Sequence, residues 1–414
     1  MKHVRRHSVC GIDPAVLKEL AAGYGVQFLS LLFLIMQNLV LPILIGTEEF
    51  GRLTFVLASS ALLYSFYDNG YNLLVMRKRE LGAAFMRCKT ELFVLAGLSY
   101  LAIWTVTGGE DMLTPILVLP HAFMMTWFSY VMHMLLSNRR MRDAALFSLV
   151  FVALGFSLPL AFVNVGVPVV YAPICSVTVA FMAARFMFSD MRLAMHFKRS
   201  LQPLRRGLRY RWGLFQKQAQ ISISTIVDSL VVWGGVYVIT QAYGYHEGAI
   251  YRVAMSILAL MTQTIPVFKP TFLRLSRRTQ GFARLTVLAS LVVLAVGAAQ
   301  WTFVWLAGEW ILEMLFPSIS AGVFGILVVL ALLPAMKVIL ELQSVMLDVY
   351  NALSVLLWNI VVSILIALVA FMFHQGIEVL LAFYFSLCML NLVVLFRANQ
   401  TRHSSRKDEK IDHG

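Results

Sequence analysis

Between Gly46 and Arg77 the sequence reads GTEEFGRLTFVLASSALLYSFYDNGYNLLVMR. An acidic turn, Gly46-Thr47-Glu48-Glu49, opens the stretch, and the bases Arg77-Lys78-Arg79 close it. Between them the chain is apolar through Phe55, Leu57, Leu62, Leu63 and Phe66. A helix needs about 20 residues, at 1.5 Å each, to cross a bilayer, and Phe50 to Met76 is long enough. One carboxylate, Asp68, lies inside, followed by Asn69-Gly70. A hydrocarbon interior makes such a group costly, so Asp68 needs a partner or a purpose.

The rest of the chain repeats this pattern. Of its 414 residues 60% are hydrophobic and only 13% charged, about half the charge of a soluble domain. Apolar runs of spanning length recur at 21–45, 50–76, 90–107, 112–137, 144–165, 168–188, 214–241, 248–272, 285–307, 320–347, 352–373 and 377–397. The reading is therefore an all-α polytopic membrane protein with twelve spans. The first run follows Lys2, Arg5, Arg6 and Lys18, is too long for a signal-peptide core and lacks a small-residue cleavage site after it. Cys10, Cys88, Cys175 and Cys388 are scattered singly, which predicts neither a disulfide framework nor a metal site.

The net charge of +13 raises the question of nucleic acid. Placement of the charges answers it. Of the 34 Lys and Arg, all but Arg52, Arg252 and Lys337 fall before span 1, in or flanking the 2–3, 4–5, 6–7 and 8–9 connections, or at and after the end of span 12. With an even number of spans these places share one face, and the opposite connections carry Glu48, Glu49, Glu110, Asp111, Glu247 and Glu309. The positive-inside rule then puts both termini in the cytoplasm, and membrane topology rather than nucleic acid accounts for the bases. The outer loops, Gly46–Glu49, Gly108–Asp111, Val163–Val167, Tyr243–Glu247, Gly308–Ser318 and His374–Gly376, are all too short to fold as domains.

One long inner connection, Asp190 to Arg211, sets Met191, Leu193 and Phe197 against Arg192, Lys198 and Arg199. It is either an amphipathic segment on the lipid surface or a solvated linker. It separates a cytoplasmic N-terminus (1–20) and a first lobe (21–189) from a second lobe (214–397), with the linker at 190–213. A polar tail, 398–414, is expected to be disordered. The lobes echo each other. Gly46-Thr47-Glu48-Glu49 aligns with Gly244-Tyr245-His246-Glu247, an apolar run follows each, and bases close both, Arg274 with Arg277-Arg278 in the second. Six spans per half give parallel repeats, between which transporters commonly bind substrate.

At these residues the chain resembles a family. Phe50-Gly51, Phe55, Ser59 or Ser60 and Asp68-x-Gly70 are similar to the second span of polysaccharide transporters, which include the O-antigen flippases. They belong to the multidrug/oligosaccharidyl-lipid/polysaccharide exporter superfamily. Asp228, then Gly248-Ala249-Ile250-Tyr251-x-x-Ala254, Pro266 and Pro270 resemble the start of their second lobe. Leu315-Phe316-Pro317-Ser318-x-x-Ala321 resembles the opening of their tenth span, with Pro317 where Gly is usual. The resemblance implies two six-helix lobes around a cavity that opens alternately to each side. It also implies an undecaprenyl-diphosphate-linked oligosaccharide as substrate, membrane lipids as surroundings and other glycan-assembly proteins as partners.

Such a substrate needs cations for its diphosphate, hydroxyls and amides for its sugars, and a gap for its tail. Arg52 and Arg252 open spans 2 and 8 and break the charge rule in both lobes. They are expected either to hold the diphosphate or to pair with Glu48, Glu49 and Glu247 as interfacial anchors. Lys217 either meets the diphosphate at the inner mouth or snorkels to headgroups. Gln27, Gln37 and Asn38 make span 1 polar and suit either sugar contacts or helix–helix hydrogen bonds. Asp228 sits near mid-membrane, where a lone charge costs about 2.5–3.5 kcal/mol. With Asp68 it is the candidate for H⁺ or Na⁺ coupling, the alternative for each being a structural role. Lys337 and Glu341, four residues apart after Pro334, are expected to form a same-face ion pair near a kink or, alternatively, to line the cavity.

No G-x-S-x-G, P-loop or H-E-x-x-H occurs, so neither an enzyme nor a cofactor is expected, and energy has to come from a gradient or from product removal. Three rival readings remain, one of them a purely structural scaffold for a glycan-assembly complex. A drug or cation antiporter of the same superfamily would call for a more acidic cavity. A membrane polymerase or ligase would call for a large outer loop.

Overall fold

The computed structural model describes residues 32–68, 82–106, 113–137, 140–188, 229–265, 282–349, 353–373 and 378–411. Helix fills nearly all of these residues, and each of the twelve expected spans contains one. The helices are α1 (Leu32–Ile45), α2 (Thr47–Asp68), α3 (Gly82–Val106), α4 (Leu113–Ser137), α5 (Met141–Val165), α6 (Ala172–Met187), α7 (Leu230–Tyr243), α8 (Tyr245–Thr264), α9 (Phe282–Leu315), α10 (Ser320–Leu330), α11 (Leu333–Val349), α12 (Leu353–Phe373) and α13 (Glu378–Ile411). Among the described residues five helices are long and apolar enough to cross a membrane, and a sixth span joins them if α10 and α11 count as one bent span. Helices α2 and α8 are less apolar because each carries charge in its first turns, Glu48, Glu49 and Arg52 in one, Glu247 and Arg252 in the other.

Two compact units divide the chain, Met1–Arg252 and Val253–Gly414, with the boundary inside α8. In the first unit α2 packs on α3 and α4, and α6 packs on α4 and α5. Lipid removes the hydrophobic drive between helices, so packing and interhelical hydrogen bonds have to hold them. Val56, Leu63 and Tyr67 of α2 interlock with Leu117, Val118 and Ala122 of α4. Here the Ser60 hydroxyl reaches the Val118 carbonyl at 3.4 Å, and the Tyr67 hydroxyl donates to the Ala122 carbonyl at 2.6 Å. A second core gathers Val131, Leu135, Ala144, Phe147, Ala180 and Ala184. Side chains such as Leu95, Ile103 and Phe186 face outward, as a lipid-facing surface requires.

The second unit centres on α13, which packs along α12 and α11. Its tenth span breaks by 44° between α10 and α11. Pro334 explains the break, since it removes one backbone donor and crowds the preceding turn. The Trp301 indole of α9 donates to the Val328 carbonyl at 3.0 Å just before the break.

The echo between halves is visible in the backbone. Gly46 (φ 87°) and Gly244 (φ 100°) both take a left-handed conformation that disfavours other residues. Each then starts a helix by accepting from a residue four ahead, Phe50 N–H at 3.0 Å and Gly248 N–H at 3.2 Å.

Two expectations need correction. The loop expected over Gly308–Ser318 is mostly helix, because α9 runs on to Leu315. Strong helix formers fill that stretch, and the real stop is Pro317, which disfavours helical geometry at Phe316. The tail expected to be disordered from 398 continues α13 to Ile411. No Gly or Pro interrupts it, and Arg, Lys, Gln and Glu favour helix. The linker at 190–213 lies outside the described residues.

Candidate functional site

Among the described residues of the first unit two helices, α1 and α7, carry a π-helical turn. Met36–Val40 of α1 and Leu230–Gly234 of α7 are π-helical turns. A π turn fits one extra residue into the helix and is often found at functional positions. In α1 the cause is legible: Pro42 cannot donate to the carbonyls behind it, and the Leu41 N–H reaches back to the Met36 carbonyl instead. In α7 the turn ends in Gly234-Gly235, which hold helix weakly.

Helix α8 fastens onto both turns through two adjacent residues. The Tyr251 hydroxyl donates to the Val231 carbonyl at 2.9 Å. Its ring lies so close to Gly235 that a Cβ there would collide with it. The Arg252 guanidinium stands over the Trp233 ring, 4.0 Å from its centroid. The same guanidinium donates to Asn38 Oδ1 at 2.9 Å, a contact spanning 214 residues of sequence. Asn38 is buried, and its own Nδ2 donates to the Leu34 carbonyl at 2.8 Å. Both ends of the Asn38 amide are thus engaged within the protein. The partly buried Arg252 is held by a neutral amide and an aromatic face, a cation–π contact of the kind that gains strength when desolvated.

Arg52 sits differently. It bonds Glu48 at 3.0 Å and Glu49 at 3.5 Å with nearly half of its side chain exposed. It also stands 5.6 Å from the Tyr245 ring centroid. This is the anchor geometry, made by an acidic turn that places two carboxylates one helical turn behind the base. Beside it Phe55 stacks on Tyr237 at 5.3 Å and meets Tyr245 edge-on at 5.9 Å. The two arginines that break the charge rule therefore occupy unlike sites, one solvated among acids and one inside the bundle.

Of the other expected site residues, Gln37 lies against Gly155 of α5, where a Cβ would come within 3.0 Å of its Nε2. Gln27, Lys217 and Asp228 lie outside the described residues, and Asp68 is described only as the last helical position of α2. In the second unit Lys337 stands 5.8 Å from the Tyr384 ring centroid, and the Glu341 side chain lies outside the described residues. That unit also buries a neutral amide pair, Asn359 Nδ2 donating to Asn391 Oδ1 at 2.7 Å. Among the Asp and Glu side chains whose burial the structure describes, none is buried, while Lys89 is fully so. Nor does any group of three or more His, Cys, Asp or Glu gather among them.

Sequence reasoning missed Trp233 and Tyr251. The available signal was the Gly234-Gly235 pair, which marks a place where another chain can approach closely, and Pro42 four residues after Asn38.

The sequence matches no protein-family model. No curated protein matches it either. Solved structures do match in fold. One is an inward-facing multidrug resistance transporter of the MATE family in the MOP superfamily. It shows 14% identity and a TM-score of 0.61, with 91% of this chain and 95% of that one covered. An outward-facing multidrug resistance MATE transporter gives 16% identity and a TM-score of 0.53 over 94% of each chain. A MATE transporter from Vibrio cholerae gives 15% identity and a TM-score of 0.50 over 94% of this chain and 98% of that one. The chain thus has the fold of MOP-superfamily transporters across nearly its whole length.

Proposed function

We propose that the protein is a secondary exporter that moves an amphipathic solute across a bilayer by alternating access, driven by an ion gradient. The observation that carries this is the fold, matched over nine-tenths of the chain by transporters described as multidrug resistance proteins in inward-facing and outward-facing conformations. Those descriptions favour a multidrug antiporter over the flippase that the sequence motifs resemble.

One observation favours the flippase as a second reading. One cation inside the first unit, Arg252, rests on Asn38 and Trp233, and among the Asp and Glu side chains whose burial the structure describes none is buried to attract a lipophilic cation. A guanidinium offers a planar fork of donors that suits a diphosphate. In that reading the partners are a lipid-linked oligosaccharide, the surrounding lipids and other glycan-assembly proteins, in a bacterial inner membrane with both termini cytoplasmic.

Reconstitution separates the two. Purified protein in liposomes under an imposed H⁺ or Na⁺ gradient is offered ethidium, then a short-chain polyprenyl-diphosphate sugar. Gradient-driven movement of ethidium supports the antiporter. Movement of the lipid-linked sugar alone supports the flippase. Movement of neither, with protein intact and both gradients tried, removes the exporter reading.

A further inference from the structure

Two adjacent residues of α8 hold the π turns of α1 and α7: Tyr251 bonds the α7 turn, and Arg252 touches both. A π turn is a poor stopping place for a helix. Its bonds are wider spaced than those of an α turn, and it persists where its surroundings hold it. Here the holding contacts are specific. Tyr251 takes a carbonyl of the α7 turn, Arg252 covers the Trp233 ring of that turn, and the same guanidinium reaches the buried Asn38 amide of the α1 turn. Asn38 passes the contact to its own backbone through the Leu34 carbonyl.

We propose that Tyr251 and Arg252 couple the two π turns into one hinge, so that loosening either turn loosens both. Shifting a π turn by one residue along its helix re-registers that residue by about 100° and 1.5 Å, which is a sizeable motion for a span. Any anionic group that draws the guanidinium away from Asn38 unlatches α1 and α7 together. Asn38 and Trp233 are on this account positioning residues for Arg252 rather than contacts for sugar. The consequence for transport rests on the reading given above, while the coupling itself does not.

Hydrogen exchange by mass spectrometry on the full chain in lipid nanodiscs tests the coupling, read at the amides of 36–41 and 230–236. Asn38→Ala removes a bond to a charged donor at the α1 turn and leaves the α7 turn chemically untouched. The expected result is faster exchange at both turns, on the order of tenfold or more, the factor that a charge-assisted bond contributes. Tyr251→Phe, altered at the α7 turn, is expected to speed both as well. Asn38→Asp keeps the acceptor and adds charge, so exchange at both turns is expected to stay at or below the wild-type rate. Acceleration confined to the turn nearest each substitution overturns the proposal, as does acceleration in Asn38→Asp equal to that in Asn38→Ala. If Asn38→Ala unfolds outright, shown by equal acceleration across α4, the Asn38→Asp result decides: both turns slow or hold together, or the coupling is wrong. No substrate or gradient enters this measurement, so its failure and a failure of transport are told apart.

Discussion

Replacing Gly51 by alanine tests a close backbone crossing in the first unit. Gly51 lies in the second turn of α2, and Tyr245 is the first residue of α8. A Cβ on Gly51 would collide with the Tyr245 carbonyl oxygen, and it would lie 2.7 Å from the carbonyl carbon and 2.9 Å from Tyr245 Cβ. The obstacle is backbone, which cannot swing aside as a side chain tip can. The two helices therefore have to separate, and the Arg52–Tyr245 and Phe55–Tyr245 contacts loosen with them. Overpacking of this kind costs about 1–3 kcal/mol. At roughly 2–4 °C per kcal/mol for a unit of this size, Gly51→Ala should lower the apparent melting temperature in detergent by several degrees. Gly325→Ala is the control, because a Cβ there meets nothing within 4 Å. It should hold or raise the melting temperature, since alanine favours helix over glycine by about 1 kcal/mol. Equal melting of Gly51→Ala and wild type refutes the close crossing, and an equal loss in Gly325→Ala refutes the reasoning from local space.

Tyr67→Phe removes a hydroxyl bonded to the Ala122 carbonyl at 2.6 Å and to Thr126 Oγ1 at 2.7 Å, so a loss of about 0.5–1.5 kcal/mol is expected in thermal unfolding. Asn359→Leu and Asn391→Leu each strand a buried amide and should each cost about 1–3 kcal/mol, while the double variant recovers most of the loss. A double variant no better than the worse single one shows that the amides are not each other's partners. Arg52→Ala breaks an exposed pair and should change stability by less than about 1 kcal/mol. If the flippase reading holds, liposome transport of a polyprenyl-diphosphate sugar survives Arg52→Ala and is lost in Arg252→Lys, which keeps the charge without the fork; equal transport by both variants removes Arg252 from diphosphate binding.

Much of the fold is legible in the sequence because bilayer physics leaves few options. A backbone in hydrocarbon has to satisfy its own hydrogen bonds, so each apolar run of spanning length becomes a helix. The glycine turns were legible for a similar reason: Gly46 and Gly244 stand before matching acidic residues, and the structure gives both the same unusual backbone. Helix ends were less so. Gly308 reads as a stop, yet α9 passes through it, because one glycine weakens a helix by about 1 kcal/mol and neighbouring turns absorb that.

The site was legible in composition but not in arrangement. Arg252 stands out in the sequence as a base on the acidic face, and Asn38 as an amide in an apolar span. That one bonds the other depends on where two segments 214 residues apart come together, which neither hydropathy nor spacing encodes. Symmetry misleads here as well. The halves share turn, charge and length, so Arg52 and Arg252 read as equivalents, yet two offsets separate them. Arg52 follows Gly46 by six residues and Arg252 follows Gly244 by eight. Two residues along an α-helix turn a side chain by about 200°, to nearly the opposite face. Arg52 therefore meets its own Glu48 and Glu49, while Arg252 faces the π turns of α1 and α7. The duplication supplies two similar spans, and a shift of two positions gives one of them an interior cation that its counterpart lacks.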